Sequence, residues 1–417
     1  MIRPDESSSP PGPPEPPPWW NGGASILAGR IGDSLLRFAL FFATARVLSG
    51  PEFSLYALLT AALGTAQGLF ALGAPRTATY FKSRASQSAL IGWLVVLAVA
   101  PSAVLLALLF AVPALRTSLF PAIPAPLVFL GLVPLPALLL ADSLSAILLA
   151  ERRERLYGAL LWLRSGATAV VLATSLLAAN RLLWLLSGRA VASLILLVPL
   201  MRALRVGRSI RGLLEIAPAA FRYGLPVAGA GALNALHRRA DVFLLSALGK
   251  TPEIGAYAVA YALAEAFWIL TDSLEAALFV DLAGHGEEKA LNETRRAAKV
   301  YGTIAAAALV VGMAGGLAIL HLGFSDRYPA ASRLFPWLLV AAVAWGASRP
   351  FSSYLYSRGR GREVLLSHAA GFALNLSLCA LWIPAAGALG AARATLASYA
   401  AEALLLAFLA RRRAAVA

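Results

Sequence analysis

Residues Tyr223 to Leu263, YGLPVAGAGALNALHRRADVFLLSALGKTPEIGAYAVAYAL, are apolar enough to cross a bilayer, turn at Lys-Thr-Pro-Glu and start back. Hydrocarbon offers no water to backbone N–H and C=O groups, so a stretch of this kind must be helical. Yet it carries His237, Arg238, Arg239 and Asp241 in mid-span. An arginine at the bilayer centre costs at least about 2.5–3.5 kcal/mol, so such residues face a cavity or a partner.

The stretch has an earlier echo. With an offset of 201 residues, Leu35 falls on Leu236, Arg37 on Arg238, Phe42 on Phe243, Pro51 and Glu52 on Pro252 and Glu253, and Tyr56, Ala57 and Ala61 on Tyr257, Ala258 and Ala262. Leu and Ala matches arise by chance in so apolar a chain. A shared Pro-Glu-x-x-x-Tyr-Ala with an arginine at the same distance upstream points to an internal repeat, as in transporters built from two related halves.

With 59% hydrophobic and 14% charged residues and a mean hydropathy of +0.73, the chain reads as a polytopic membrane protein. Twelve spans of about 20 or more residues fit, at 24–47, 53–75, 87–112, 122–149, 156–179, 182–203, 219–248, 254–280, 297–322, 332–356, 363–385 and 387–410. Alternate loops then carry 22 basic residues on one side and 6 on the other, which puts both termini in the cytoplasm. The expected fold class is an all-α membrane protein of about twelve transmembrane helices, in two pseudo-symmetric six-helix lobes around a central cavity. Residues 1–20, with eight prolines, read as a disordered cytoplasmic tail. Residues 21–203 form the first lobe, 204–218 a basic linker held to anionic lipid, 219–410 the second lobe and 411–417 a basic tail. Interior prolines at Pro134, Pro136, Pro226, Pro336 and Pro350 predict kinks.

Eight arginines remain inside the spans: Arg30, Arg37, Arg164, Arg189, Arg238, Arg239, Arg349 and Arg393. Any one can snorkel or pair structurally; eight shared between both halves are better explained by a water-filled cationic cavity. Arg30, Asp33 and Arg37 share one helical face, so Asp33 can pair with Arg37 and leave Arg30 freer for a ligand. Asp241 is spaced to reach His237 and Arg238. Guanidinium forks suit bidentate binding of phosphate oxygens, and the implied ligand is a phosphate or pyrophosphate. Glu265, Asp272 and Glu275 follow in the eighth span, with Trp268 on their stripe; they either bind a coupling ion or balance the arginines.

Other signals fail. The single cysteine, Cys379, excludes an internal disulfide and a cysteine metal cluster. Gly249-Lys250-Thr251 lacks the P-loop's first glycine, because Leu244 stands there. His285, His321 and His368 are scattered and suggest no metal site. The net charge of +15 fits topology signals and an anionic ligand better than nucleic acid. No outer loop is long enough for a catalytic domain, so no enzyme is expected, and no cofactor.

Four passages carry a family resemblance: ARVLSGPEFSLYALLTA after the first span, YGLP with RRADVFLL in the seventh, FSDRYPAASRLFPWLLVAA into the tenth, and NLSLCALWIPAAGALGAARATLASY across the last two. In their order and spacing the chain resembles the polysaccharide-exporter (oligosaccharide-lipid flippase) family of the MATE-like superfamily. The resemblance implies a bacterial inner-membrane flippase for an undecaprenyl-pyrophosphate-linked glycan, whose cavity arginines grip the pyrophosphate while the lipid tail stays in the bilayer. It implies lipids and other polysaccharide assembly proteins as partners, and a functional monomer. The related lipid II flippases hold a sodium ion in their C-terminal lobe. By motif Asp241, Asn375 and Thr395 match that site, with Cys379 where a carboxylate would help. The alternatives are a drug/cation antiporter of the same fold and a non-transporting scaffold of a polysaccharide assembly complex.

Overall fold

A computed structural model describes residues 20–71, 74, 86–120, 123–151, 153–204, 213–283 and 286–414. The predicted tail 1–20 lies outside this set except for Trp20, as do 205–212 of the predicted linker and 415–417 at the C-terminus.

The described residues form α-helices joined by short turns. They are α1 (Trp20–Val47), α2 (Gly50–Phe70), α3 (Gln87–Ala111), α4 (Pro113–Leu119), α5 (Ala125–Leu132), α6 (Leu135–Ala150), α7 (Glu154–Ser175) and α8 (Arg181–Ala203). After these come α9 (Leu213–His237), α10 (Ala240–Ala247), α11 (Ile254–Ala283), α12 (Glu287–Phe324), α13 (Ala331–Ser357) and α14 (Gly361–Ala414), with a 3₁₀ turn at Thr251–Glu253 before α11. Among the described residues, eight helices are long and apolar enough to cross a membrane. Helices α1 and α11 match them in length, at 28 and 30 residues, but carry ionisable side chains. The chain is an all-α, multi-pass membrane protein.

The helix ends follow local chemistry. At the start of α2, Glu52 accepts hydrogen bonds from the backbone N–H and hydroxyl of Ser49, 2.9 and 2.6 Å away, and Pro51 sits in the first turn where no N–H is needed. Pro134 separates α5 from α6, as the sequence predicts. By contrast α13 runs through Pro336 and Pro350 without a break. Two boundaries differ from expectation. Helix α9 begins at Leu213, within the predicted linker 204–218. The predicted span 219–248 is two helices, since the chain turns at Arg238–Arg239. The last two spans meet where expected: α14 is two helices that join at the non-helical Gly387 (φ 56°), where Glu253 accepts from the Ala388 N–H at 2.7 Å.

Helices up to α8 pack mainly on one another, as do those from α10 onward; the groups meet where α9 packs on α2 and α3, and α11 on α2 and α1. At that junction Phe53, Leu58, Leu63, Tyr257 and Val259 are fully buried.

Candidate functional site: a cationic cavity between the two halves

A cavity of about 470 Å³ opens at the junction, lined by α1, α2 and α7 from the first half and by the α9–α10 turn and α11 from the second. Its charged lining is Arg37, Arg164, Arg238 and Arg239 against Asp33 and Glu265. Positive charge is therefore in surplus.

Each arginine is held differently. Asp33 is almost fully buried and receives Arg37 and Arg164, both at 2.9 Å, and the hydroxyl of Ser165 at 2.5 Å. The predicted Asp33–Arg37 pair is thus a three-way cluster joining α1 to α7. Arg164 also lies 3.9 Å from Asp142, which Gln67 reaches at 3.3 Å. On the other wall Glu265 accepts from Arg238 at 2.9 Å and from Arg239 at 3.0 Å. Arg238 lies over the Trp268 ring, 4.1 Å from its centroid, and Arg239 over Tyr261 at 4.8 Å. Stacked, partly desolvated guanidinium groups keep their charge and leave an edge free for a second oxygen ligand.

Two helix ends set this wall. The turn at Arg238–Arg239 aims both side chains into the cavity, and the Tyr261 hydroxyl secures it by donating to the Arg238 carbonyl at 2.9 Å. The spacing that puts Asp241 within reach of His237 and Arg238 assumes an unbroken helix, and the turn overturns it. Asp241 instead accepts from Tyr257, from Thr395 at 3.1 Å and from the Val242 N–H at 2.7 Å.

The other expected cavity arginines lie elsewhere. Arg189 donates to Thr60 at 3.1 Å, so it sits behind a lining residue without lining the cavity itself. Arg349 stacks on Trp345 at 3.6 Å, and Arg393 on Trp337 at 4.9 Å; neither lines the cavity. Both are accommodated by an aromatic face. Arg30 lies in α1 and Asp272 in α11, but their side chains fall outside the described residues. Tyr157, Tyr257 and Tyr261, which line the cavity, were missed by charge-based reading, as was Asp142. A lone acid in an apolar span was the available signal for Asp142.

Of the residues at which the resemblance implies a sodium ion, Asp241 and Thr395 meet at 3.1 Å. The carboxylate of Asp241 is already engaged by Tyr257, Thr395 and Val242. Asn375 turns away to Ser398 at 3.2 Å, and its carbonyl faces the Cys379 thiol at 3.8 Å.

Aromatic rings pack beside the cavity at its lining residue Phe41. Phe41 and Phe53 stack edge-on at 5.3 Å, Phe53 meets Tyr328 at 5.5 Å, and Phe42 meets Phe324 at 5.4 Å. Beyond these rings Arg46 pairs with Asp326 at 2.9 Å, and Arg327 donates to the carbonyl of Arg46 at the end of α1 and to that of Leu48 just past it, the latter at 3.0 Å.

The family model described as "Polysaccharide biosynthesis protein" matches residues 19–279, more than half of the chain. The chain belongs to this family. Among solved structures, the chain is similar to a multidrug resistance MATE family transporter of the MOP superfamily in an inward-facing conformation. That match has a TM-score of 0.72 at 13% identity and covers 94% of this chain and 98% of the other. It is also similar to the lipid II flippase MurJ in an inward closed conformation (TM-score 0.65, 14% identity, 94% and 87% covered). A third relative is a MOP superfamily transporter from Pyrococcus furiosus described as having a binding pocket of reversed polarity (TM-score 0.61, 13% identity, 94% and 95% covered). At these identities the likeness establishes the fold. No curated protein matches it in sequence.

Proposed function

We propose that the protein is an alternating-access flippase in the bacterial inner membrane, with both termini cytoplasmic and lobes at 21–203 and 219–410. Its cargo is an undecaprenyl-pyrophosphate-linked oligosaccharide, the repeat unit of a surface polysaccharide. The observation that carries this reading is the surplus of arginine in a cavity shared by both halves, Arg37 and Arg164 facing Arg238 and Arg239. Family membership supplies the polysaccharide context. A cationic drug would be repelled by this lining, whereas a pyrophosphate would satisfy the free guanidinium edges.

In this reading Asp33 and Glu265 hold the arginines ordered while the cavity is empty. The headgroup then displaces those carboxylates, and the lipid tail stays in the bilayer beside the helices. The chain acts as a monomer, and other assembly proteins consume the flipped glycan. In the same reading the aromatic packing and the Arg46–Asp326 pair, which the positive-inside rule puts on the outer side, close the cavity outward, and the cavity faces the cytoplasm.

The test is Arg37→Glu combined with Arg238→Glu in cells that depend on this chain for surface polysaccharide. Loss of polysaccharide with normal protein abundance is expected. Wild-type polysaccharide in that double variant would count decisively against the proposal.

A further inference from the structure

The second half holds a set of ionisable groups outside the cavity. His237, the last residue of α9, is 2% exposed; Glu402 and His368, both on α14, are 2% and 5% exposed. Each carboxylate oxygen of Glu402 faces one imidazole: His368 Nδ1 lies 2.9 Å from Oε1, and His237 Nδ1 lies 3.1 Å from Oε2. His368 and Glu402 sit on opposite sides of the Gly387 kink, so the cluster ties both parts of α14 to the end of α9. Gly371 leaves the room for it, because a Cβ there would come within 2.6 Å of Glu402 Oε2 and 3.0 Å of His237 Cε1.

Ser398 links the cluster to the backbone of α14. Its hydroxyl donates to the Thr395 carbonyl at 3.0 Å, accepts from Asn375 Nδ2 at 3.2 Å, and lies 3.0 Å from His237 Nε2. A hydroxyl has one proton to give. While that proton goes to Thr395, His237 must donate from Nε2. A second hydrogen, on Nδ1 and 3.1 Å from Glu402 Oε2, gives the pair one proton more than a neutral imidazole and a carboxylate. When that proton leaves, Ser398 can rotate its hydrogen from Thr395 to Nε2. The cluster therefore has two arrangements that differ by one proton.

The neighbouring ionisable groups are engaged elsewhere. Arg238 and Arg239 pair with Glu265 of α11, and Asp241 of α10 bonds Tyr257 and Thr395. Tyr261 donates to the Arg238 carbonyl, and Cys379 faces Asn375. Tyr399 presents its ring to His237 at 4.6 Å. On α13, Arg349 stacks on Trp345, Tyr354 bonds Glu287 at 2.5 Å and Arg333 is exposed. On α2, Glu52 caps Ser49 and Tyr56 stacks on Phe53; α3 has no titratable side chain.

We propose that His237, Glu402 and His368 form a buried proton-binding site, with Ser398 as the hydroxyl that re-orients when the proton leaves. His237 directly precedes Arg238 and Arg239, so its charge acts on the turn that presents them to the cavity. As a coupling site the cluster rests on the flippase reading; as a proton site it does not, and it is tested on the purified chain without lipid substrate.

The chain has four histidines, so His285→Gln with His321→Gln leaves only the two of interest. In this background, ¹⁵N-imidazole NMR of the full chain follows protonation from about pH 5 to 9. The expected result is at least one imidazole titration whose midpoint moves by about one pH unit or more in Glu402→Gln. Should that variant not fold, Ser398→Ala replaces it and must move the His237 midpoint more than that of His368. Imidazoles that keep one protonation state throughout, or midpoints unmoved by the substitution that folds, overturn the proposal.

Discussion

The hydroxyl of Ser54 accepts a hydrogen bond from the backbone N–H of Gly255 at 3.1 Å, and the two residues are 201 positions apart. That is the offset that aligns Arg37 with Arg238. A residue that touches its own repeat mate lies on the axis relating the two copies, as in a twofold interface between subunits. Further along, both members of the pairs Ala57/Ala258, Ala61/Ala262 and Arg37/Arg238 line the cavity. The axis thus runs from the aromatic packing beside the cavity into the site.

Contact on this axis leaves no space for a side chain. A Cβ at Gly255 would lie 2.9 Å from Ser54 Oγ and 3.0 Å from Tyr328 Cε1. Gly255→Ala is expected to cost about 1–3 kcal/mol by overpacking, seen as a lower melting temperature of the purified protein. Adding Ser54→Ala should restore part of the loss. An unchanged melting temperature in Gly255→Ala would mean the halves do not meet here.

Farther along α2, the two halves come close again, where a Cβ on Gly68 would lie 2.2 Å from that of Ala235. Gly68→Ala should destabilise by a similar amount, about 1–3 kcal/mol, and Ala235→Gly should rescue it. Thermal unfolding of the three variants gives the coupling. Additive effects would refute the contact.

The Arg46–Asp326 pair predicts how the proposed outer closure responds to pH. Slight desolvation pushes the Asp326 carboxyl up, but the hydrogen bond and charge of Arg46 outweigh it and leave the group below its ordinary value. A depressed carboxylate stabilises the paired state above the unpaired value of about 3.9, and that contribution fades as pH falls through the lowered one. The closure should therefore be insensitive to pH near neutrality and loosen only in strong acid. Asp326→Asn should loosen it at any pH. With Cys379→Ala as background, a cysteine at Ala57, buried on the cavity wall, reports opening to an external impermeant maleimide. Labelling should rise several-fold in Asp326→Asn; equal labelling would show that the pair is no latch.

Glu265 competes with any anion for Arg238 and Arg239. Removing its charge in Glu265→Gln should tighten binding of inorganic pyrophosphate by roughly tenfold, about 1.4 kcal/mol, measured by calorimetry on the purified chain. Weaker binding would place the ligand elsewhere.

The helical class and the repeat were legible because both are written in local pattern: long apolar runs and a motif recurring at a fixed offset. Arg37 and Arg238 could be paired in advance because repeat mates are placed by one symmetry. Arg349 and Arg393 could not be told apart from them, since an in-span arginine reads the same whether it faces a cavity or an aromatic ring. Glu402 went unnoticed and His368 was read as isolated, because their partner His237 lies in another helix.

By itself the sequence determined that this chain crosses a membrane as helices, that two of its segments are copies, and that positive charge lies within the spans. Those follow from hydrophobicity, periodicity and the cost of burying an arginine, all carried by short stretches of chain. Only the tertiary structure decided which arginines share a cavity, that α9 breaks at Arg238, that Asp241 turns to Tyr257 and Thr395, and that two histidines meet on Glu402. Each of these depends on where distant helices end and which faces they present to one another, and residue spacing along the chain does not encode it.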